Sequence, residues 1–244
     1  MFCMKNILLS IGFGLLILAN VTVWSEVLGS KTFEVSFLDI GQGDAIFLET
    51  PSAQQILIDG GPDNTILERL ALRMLPWDKT IDLVILTHPE KDHVAGLIEV
   101  LKLYSVKQIL WTGVQKDTGE YEEWVRLLKE EGAEITVALP PQRIYLDSGF
   151  IDVLHPRDIE GRSINDTSMV LRLVVGDSSF LFTGDIGIKV ERELVESGVN
   201  IKADVLKVSH HGSKTSTSSL FLEAVQPSVA VISLGENSYG HPHP

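Results

Sequence analysis

Leu86-Thr87-His88-Pro89-Glu90-Lys91-Asp92-His93 gathers four side chains able to bind a metal into six positions, directly behind the apolar run Ile81-Asp82-Leu83-Val84-Ile85-Leu86. The run reads as a buried strand, being short, continuous and rich in branched residues. Residues two apart on an extended continuation point the same way, so His88 and Glu90 are expected to share a face. Asp92 and His93 follow where the chain enters the amphipathic pattern Val94 to Leu101, read as a helix. Imidazole nitrogen and carboxylate oxygen together suit a divalent cation such as zinc, manganese or iron. In a plain loop the same residues would be solvated, with Asp92 an ordinary helix N-cap.

Two later stretches offer more ligands of the same kind. Val174-Val175 and Phe180-Leu181-Phe182-Thr183 read as strands, and Gly184-Asp185 closes the second with a carboxylate on a tight turn, placed to bridge two ions. Val205-Leu206-Lys207-Val208 runs straight into Ser209-His210-His211-Gly212-Ser213-Lys214, which puts one or both histidines at a strand end. Three strands that each deliver acid or imidazole at their C-terminal ends are what a site on a sheet rim requires.

The rest of the pattern supplies the frame. Residues 33–39, 45–48 and 55–59 read as strands separated by glycine-rich turns, an antiparallel start. Helical patterns over 65–75, 94–104, 121–131 and 187–196 then alternate with extended ones over 106–111, 134–138, 150–154, 169–175 and 228–234. The expectation is an α/β fold with two sheets sandwiched between helices, and about 210 residues can fill one such core.

At this point the residues resemble the metallo-β-lactamase-fold hydrolases, whose His-x-His-x-Asp-His signature would read here His88-x-Glu90-x-Asp92-His93. Phe37 to Ala45, Leu57 to Gly61, Phe182 to Asp185, Ser209 to Ser213 and Tyr239 to Pro242 look like the C-terminal domain of ComEC-type DNA-uptake proteins, in order over residues 33 to 244. The resemblance implies a four-layer αββα sandwich and one or two divalent ions, manganese or zinc before magnesium. Asp92, His93, Asp185 and His210 match the family's second metal site, with His211 an alternative to His210. The first site would use His88, Glu90 and the shared Asp185. Glu90 replaces the family's second histidine there, and Asn165 stands in the segment that resembles the place of its third. By position in the family, Asp92 would orient and deprotonate the attacking water, and His241 would stabilise a charged oxygen or protonate the leaving group. Ser168, Ser213 and Lys214 are candidate substrate contacts, and Lys207 and Lys214 with the Ser/Thr run 215–219 could form a phosphate-contacting rim, although such a run more often reads as a polar loop and helix cap.

Residues 1–29 contain the uncharged apolar stretch Ile7 to Trp24, preceded by Lys5 and followed by Glu26, read as a signal peptide or membrane anchor. Either reading places a hydrolase domain at 30–244 outside the cytoplasmic membrane. That domain would end earlier than the resemblance leads one to expect. Cys3 is the lone cysteine, so the exported part would hold no disulfide. The net charge of −13 argues against broad electrostatic binding of a polyanion. The leading expectation is still a phosphodiesterase or nuclease acting on DNA, partnered with a DNA-uptake channel protein. Hydrolysis of another phosphodiester such as a cell-wall phosphate ester, of a lactam or thioester, or DNA binding without hydrolysis are the alternatives. Because the first site is poorer in imidazole, a second metal is predicted to be the more weakly held. Two ions per chain surviving extensive dialysis would contradict this.

Overall fold

Alternation along the strands sorts the apolar residues of this chain into three cores. The computed structural model describes Gly14, Leu18 and residues 32–138 and 140–243. The expected N-terminal apolar segment, apart from Gly14 and Leu18, lies outside the described residues. Among the described residues no helix is long and apolar enough to cross a membrane. Residues Phe33–Pro244 form one compact unit.

The first sheet carries β1 (Glu34–Phe37), β2 (Ile46–Glu49), β3 (Gln55–Ile58), β4 (Thr80–Leu86), β5 (Ser105–Trp111) and β6 (Glu134–Val137), paired in that order. Its first three strands are antiparallel and the remaining pairings parallel. The second sheet holds β7 (Gln142–Leu146), β8 (Gly149–His155), β9 (Val170–Val175), β10 (Ser178–Phe182), β11 (Val205–Lys207) and β12 (Val229–Val231). It repeats the plan, antiparallel through β10 and parallel from β10 to β12. The helices α1 (Thr65–Ala71), α2 (Lys91–Leu103) and α3 (Gly119–Glu130) lie in the connections of the first sheet; α4 (Ile188–Glu196) and α5 (Ser219–Val225) lie in those of the second.

In β3, Ile56 and Ile58 face the second sheet while Leu57 faces the helices; in β4, Leu83 and Ile85 face inward while Val84 and Leu86 face outward. The inner cluster joins these to Ile151, Val153, Met169, Leu171, Leu173 and Phe182 of the other sheet. The outer clusters seat α1 to α3 through Ile66, Leu97 and Trp124, and α4 and α5 through Val190, Leu194 and Phe221. The result is the expected four-layer αββα metallo-β-lactamase-type sandwich, because period-2 strands with two apolar faces have to be covered on both sides.

Three details depart from the sequence reading. Helix α2 begins at Lys91, three residues before the apolar pattern, with Glu90 as its N-cap, so Asp92 and His93 sit in its first turn. β7 was not expected, being a half-exposed edge strand of mixed polarity, and α5, only seven residues long, was marked only by the helix-cap reading of the Ser/Thr run, which Ser218 fulfils.

One close approach fixes the rim. Gly60 N donates to His93 O at 2.8 Å and Gly96 N to Gly61 O at 2.9 Å, tying the start of α2 to the end of β3. A Cβ on Gly96 would lie 1.8 Å from Gly60 O, and that backbone has no room to withdraw. Gly96→Ala is therefore expected to cost about 3 kcal/mol of stability, the upper range for overpacking. Urea unfolding checks this, and a cost below about 0.5 kcal/mol, the size of an ordinary surface change, would show that the helix can slide away freely.

Candidate metal centre

Four strand ends converge on one rim. β3 runs into Asp59, β4 into Thr87 and His88, β10 into Asp185, and β11 into the turn carrying His211. Ligand-type atoms of Asp92, His93, Asp185 and His211 all lie within 4.8 Å of one another. Asp185 Oδ2 is the hub, 3.4 Å from His93 Nε2, 3.5 Å from His211 Nε2 and 3.9 Å from His88 Nε2. His211 Nε2 also lies 3.4 Å from Asp92 Oδ2. The Nε2 atoms of His88, His93 and His211 and Asp185 Oδ1 are buried without a hydrogen-bond partner. Buried polar atoms are ordinarily paired, so orphaned imidazole nitrogens and carboxylate oxygens aimed at one spot fit a divalent cation.

Each imidazole is turned by its other nitrogen. His93 Nδ1 donates to Asp59 Oδ2 at 2.8 Å, and His211 Nδ1 donates to Ser233 O at 2.8 Å. Thr87 Oγ1 donates to Asp59 Oδ2 at 2.7 Å, which leaves its oxygen to accept from His88 Nδ1 at 3.1 Å. All three Nε2 atoms therefore face the cluster, the arrangement that outer partners impose on metal-binding histidines. Asp59 holds a left-handed conformation with φ 58°, and also accepts from Thr87 N at 2.8 Å. Beneath it, the fully buried Lys207 is paired with Asp44, whose Oδ1 lies 3.7 Å from His211 Nδ1. Four carboxylates, Asp44, Asp59, Asp92 and Asp185, thus face one ammonium, a deficit of positive charge that bound cations would fill.

The titration behaviour reflects that deficit. Burial opposes ionisation of Asp185, but the charge of His93 and the approach of His211 outweigh it and hold the carboxyl well below its usual range. Burial likewise opposes, and the close approach of His211 overcomes, so that Asp92 is also held low. For His211, burial disfavours the charged form, yet Asp185 and Asp92 raise it to about 9. His93 is raised well above its ordinary value, against burial, by Asp185 and Asp59. His88 is pushed the other way by burial and by the charge of His93. Protons on His93 and His211 thus occupy the place of cationic charge in the metal-free centre.

The structure assembles Asp92, His93 and Asp185 from the expected ligands and brings His88 to their edge. It puts His211, not His210, in the cluster. His210 and His211 are consecutive left-handed residues, φ 47° and 53°, and the turn they make sends His211 inward and His210 to the cleft wall. There His210 Nε2 meets Asn165 Nδ2 at 3.3 Å, and its ring lies 5.5 Å from that of His241. The cleft, about 260 Å³, is lined by these three with Gln42, Glu90, Asp92, Asp185, His211 and Tyr239, and no lysine or arginine is among them. Glu90 does not join the tight cluster; its carboxylate pairs with Lys116. Ser168 cannot meet substrate: it is fully buried, donating to Asn165 O at 2.7 Å and accepting from Asp185 N at 3.0 Å. Ser213 is buried and its hydroxyl bonds that of Thr215 at 3.0 Å, whereas Lys214 is exposed. Lys207 is buried against Asp44 rather than lying on a phosphate rim.

Sequence reasoning passed over Asp59, Asp44 and Lys116. Asp59 had a signal, an acid between an apolar strand and Gly60-Gly61, which is the place for a residue that steadies a neighbouring strand end. Lys116 had none.

The metallo-beta-lactamase superfamily model matches residues 38–236. Among relatives, the chain is 34% identical over 232 residues to ComE operon protein 3 of Bacillus subtilis, covering 88% of this chain and 30% of that protein. It is 32% identical over 231 residues to competence protein ComA of Neisseria gonorrhoeae, covering 93% and 31%. The chain thus spans about a third of the length of these relatives. Among solved structures, the metallo-beta-lactamase fold protein YhfI from Bacillus subtilis superposes with a TM-score of 0.58 at 15% identity, covering 87% of this chain and 90% of that one. Human tRNase Z, short form, does so at 0.54 and 14%, covering 84% and 93%. These structural likenesses speak for the fold.

The raised His211 gives a pH test. Its folded value of about 9 stands above the ordinary 6.5, so its contribution to the metal-free protein is complete below pH 6.5 and lost as pH rises to about 9. A cation must displace that proton and the one on His93, so metal affinity should climb over the same window by about tenfold per pH unit for each proton displaced. Melting in chelator and metal titration across this range check both directions. Metal affinity independent of pH would contradict the assignment.

Proposed function

The chain belongs to the metallo-beta-lactamase superfamily, and from that premise we propose that it is a metal-dependent phosphodiesterase that cleaves DNA. The observation that carries the reading is that a chain similar to competence proteins along most of its length holds a converging Asp92–His93–Asp185–His211 donor set, with orphaned atoms on the last three, open to a cleft. Those four residues would hold the ion. A divalent ion bound there lowers the pKa of water and offsets the negative charge that builds on a phosphoryl group.

The protein's own groups divide the remaining work. Asp92 is ionised and nearly a third of its side chain is exposed, against 4% for Asp185, so it can reach both the cluster and the cleft. It would orient the attacking water and take up its proton, as expected from the sequence. His241 lines the mouth of the cleft, its ring stacked on Tyr239 at 6.0 Å. Burial and neighbouring His210 lower its pKa, so it stands as a neutral imidazole. A neutral ring suits a hydrogen bond to a developing oxyanion better than full proton delivery. His210 and Asn165, adjacent on the same wall, are placed to help bind the phosphate.

With −13 net charge and no lysine or arginine lining the cleft, affinity for DNA has to come from bound cations and local lysines such as Lys214. The same facts favour, as a second reading, a small phosphodiester that fits a 260 Å³ cleft. Action outside the cytoplasmic membrane, attachment through the N-terminal apolar segment and partnership with a DNA-uptake channel belong to the proposal, supported by the likeness to competence proteins.

End-labelled single- and double-stranded DNA incubated with the full chain and manganese, magnesium or zinc tests the reading. Metal-dependent cleavage is expected, falling at least about a hundredfold in Asp92→Ala while the variant still melts as a folded protein, the usual scale for a lost proton acceptor and here also for a lost ligand. Turnover of a small phosphate diester with DNA left intact would select the second reading. Activity confined to lactams or thioesters would sink both.

A further inference from the structure

The half of the centre around His88 is unevenly prepared. His88 Nε2 is buried, orphaned and 3.9 Å from Asp185 Oδ2, and Asp185 Oδ1 is orphaned too. Glu90 lines the same cleft and would complete that half, but its carboxylate is engaged by the ammonium of Lys116. The main chain there has little freedom. Glu90 O accepts from His93 N at 3.0 Å and from Val94 N at 2.9 Å as the cap of α2. Only the Glu90 side chain can choose between partners. Lys116 sits in the loop between β5 and α3, with 21% of its side chain exposed. It can therefore hold Glu90 or withdraw to solvent.

We propose that Lys116 is a built-in competitor for the second cation: by pairing with Glu90 it keeps the His88–Glu90–Asp185 position weak while leaving the Asp92–His93–Asp185–His211 position strong. An incoming dication has to share Glu90 with an ammonium and bear its repulsion at contact range, where like charges are poorly screened. The pair acts through Glu90, so Lys116 is a positioning residue. This inference rests on the reading of the cluster as a metal centre.

Manganese binding to the full chain, measured by equilibrium dialysis with elemental analysis, separates the two ideas. One tight equivalent is expected in the unaltered protein, in Lys116→Met and in Lys116→Arg. The second equivalent should bind about fivefold tighter in Lys116→Met and return to its weak level in Lys116→Arg, since a partly exposed ion pair is worth up to about 1 kcal/mol. A manganese–manganese coupled electron paramagnetic resonance signal should appear at correspondingly lower manganese. Glu90→Gln should abolish the gain in the Lys116→Met background, and thermal melting confirms that each variant is folded. A second equivalent unchanged or weakened in Lys116→Met would overturn the inference while the tight equivalent upholds the metal centre. No ion bound by the unaltered protein would overturn the centre and the inference together.

Discussion

Three imidazoles aimed at one carboxylate oxygen is the constraint on which the remainder of this structure depends. Asp185 Oδ2 meets His88, His93 and His211 in a place where none of them reaches water freely. Such an arrangement is stable only if positive charge is supplied, by protons or by an ion, and only if every ring is held in one orientation. The surroundings meet the second demand. Asp59 turns His93, Thr87 turns His88, and Ser233 O turns His211, while Ser168 fixes the backbone of Asp185. The conformations used are costly ones: Asp59, His210 and His211 are all left-handed, each worth on the order of 1 kcal/mol or more of backbone strain. Strain gathered beside orphaned ligand atoms is the mark of a site arranged for something other than the fold's own stability.

The sandwich was legible because its signals are periodic. Two apolar faces on β3 and β4 demand covering layers on both sides, and glycine-rich turns between short strands announce the antiparallel start. The metal-ligand types were legible because Asp92, His93 and Asp185 sit at strand or helix boundaries whose residue chemistry has no structural need. What stayed hidden depended on backbone turns and on partners distant in sequence. In a strand, the choice between His210 and His211 would follow from alternation; two consecutive left-handed residues break that rule, and no local pattern in Ser209-His210-His211-Gly212 marks the break. Lys207 looked like a phosphate contact because lysine is usually exposed. Its partner Asp44 lies 163 positions earlier, outside any window that sequence reading uses. Ser168 read as a substrate contact for the same reason, although its hydroxyl is consumed in holding Asp185.

The electrostatic layout separates holding from reaching. The four cluster residues are mostly buried, and the cleft above them is walled by neutral or acidic groups, with Lys116 turned onto Glu90. A polyanion approaching this surface meets a net negative charge, relieved at the centre and at exposed lysines such as Lys214. Such acidity works against nonspecific adhesion of polyanions along the surface.

The two sheets share one plan, an antiparallel start followed by parallel strands, and each carries half of the centre: Asp59, His88, Asp92 and His93 come from the first, Asp185 and His211 from the second. Among the described residues, the chain passes from the first sheet to the second once, between the end of β6 at Val137 and the start of β7 at Gln142. A chain opened at that passage would yield two fragments, each with its own sheet and helices and each with an incomplete ligand set. Their reassembly would be driven by the inner apolar cluster and tightened by a divalent cation, which finds its full ligand set only when the halves meet.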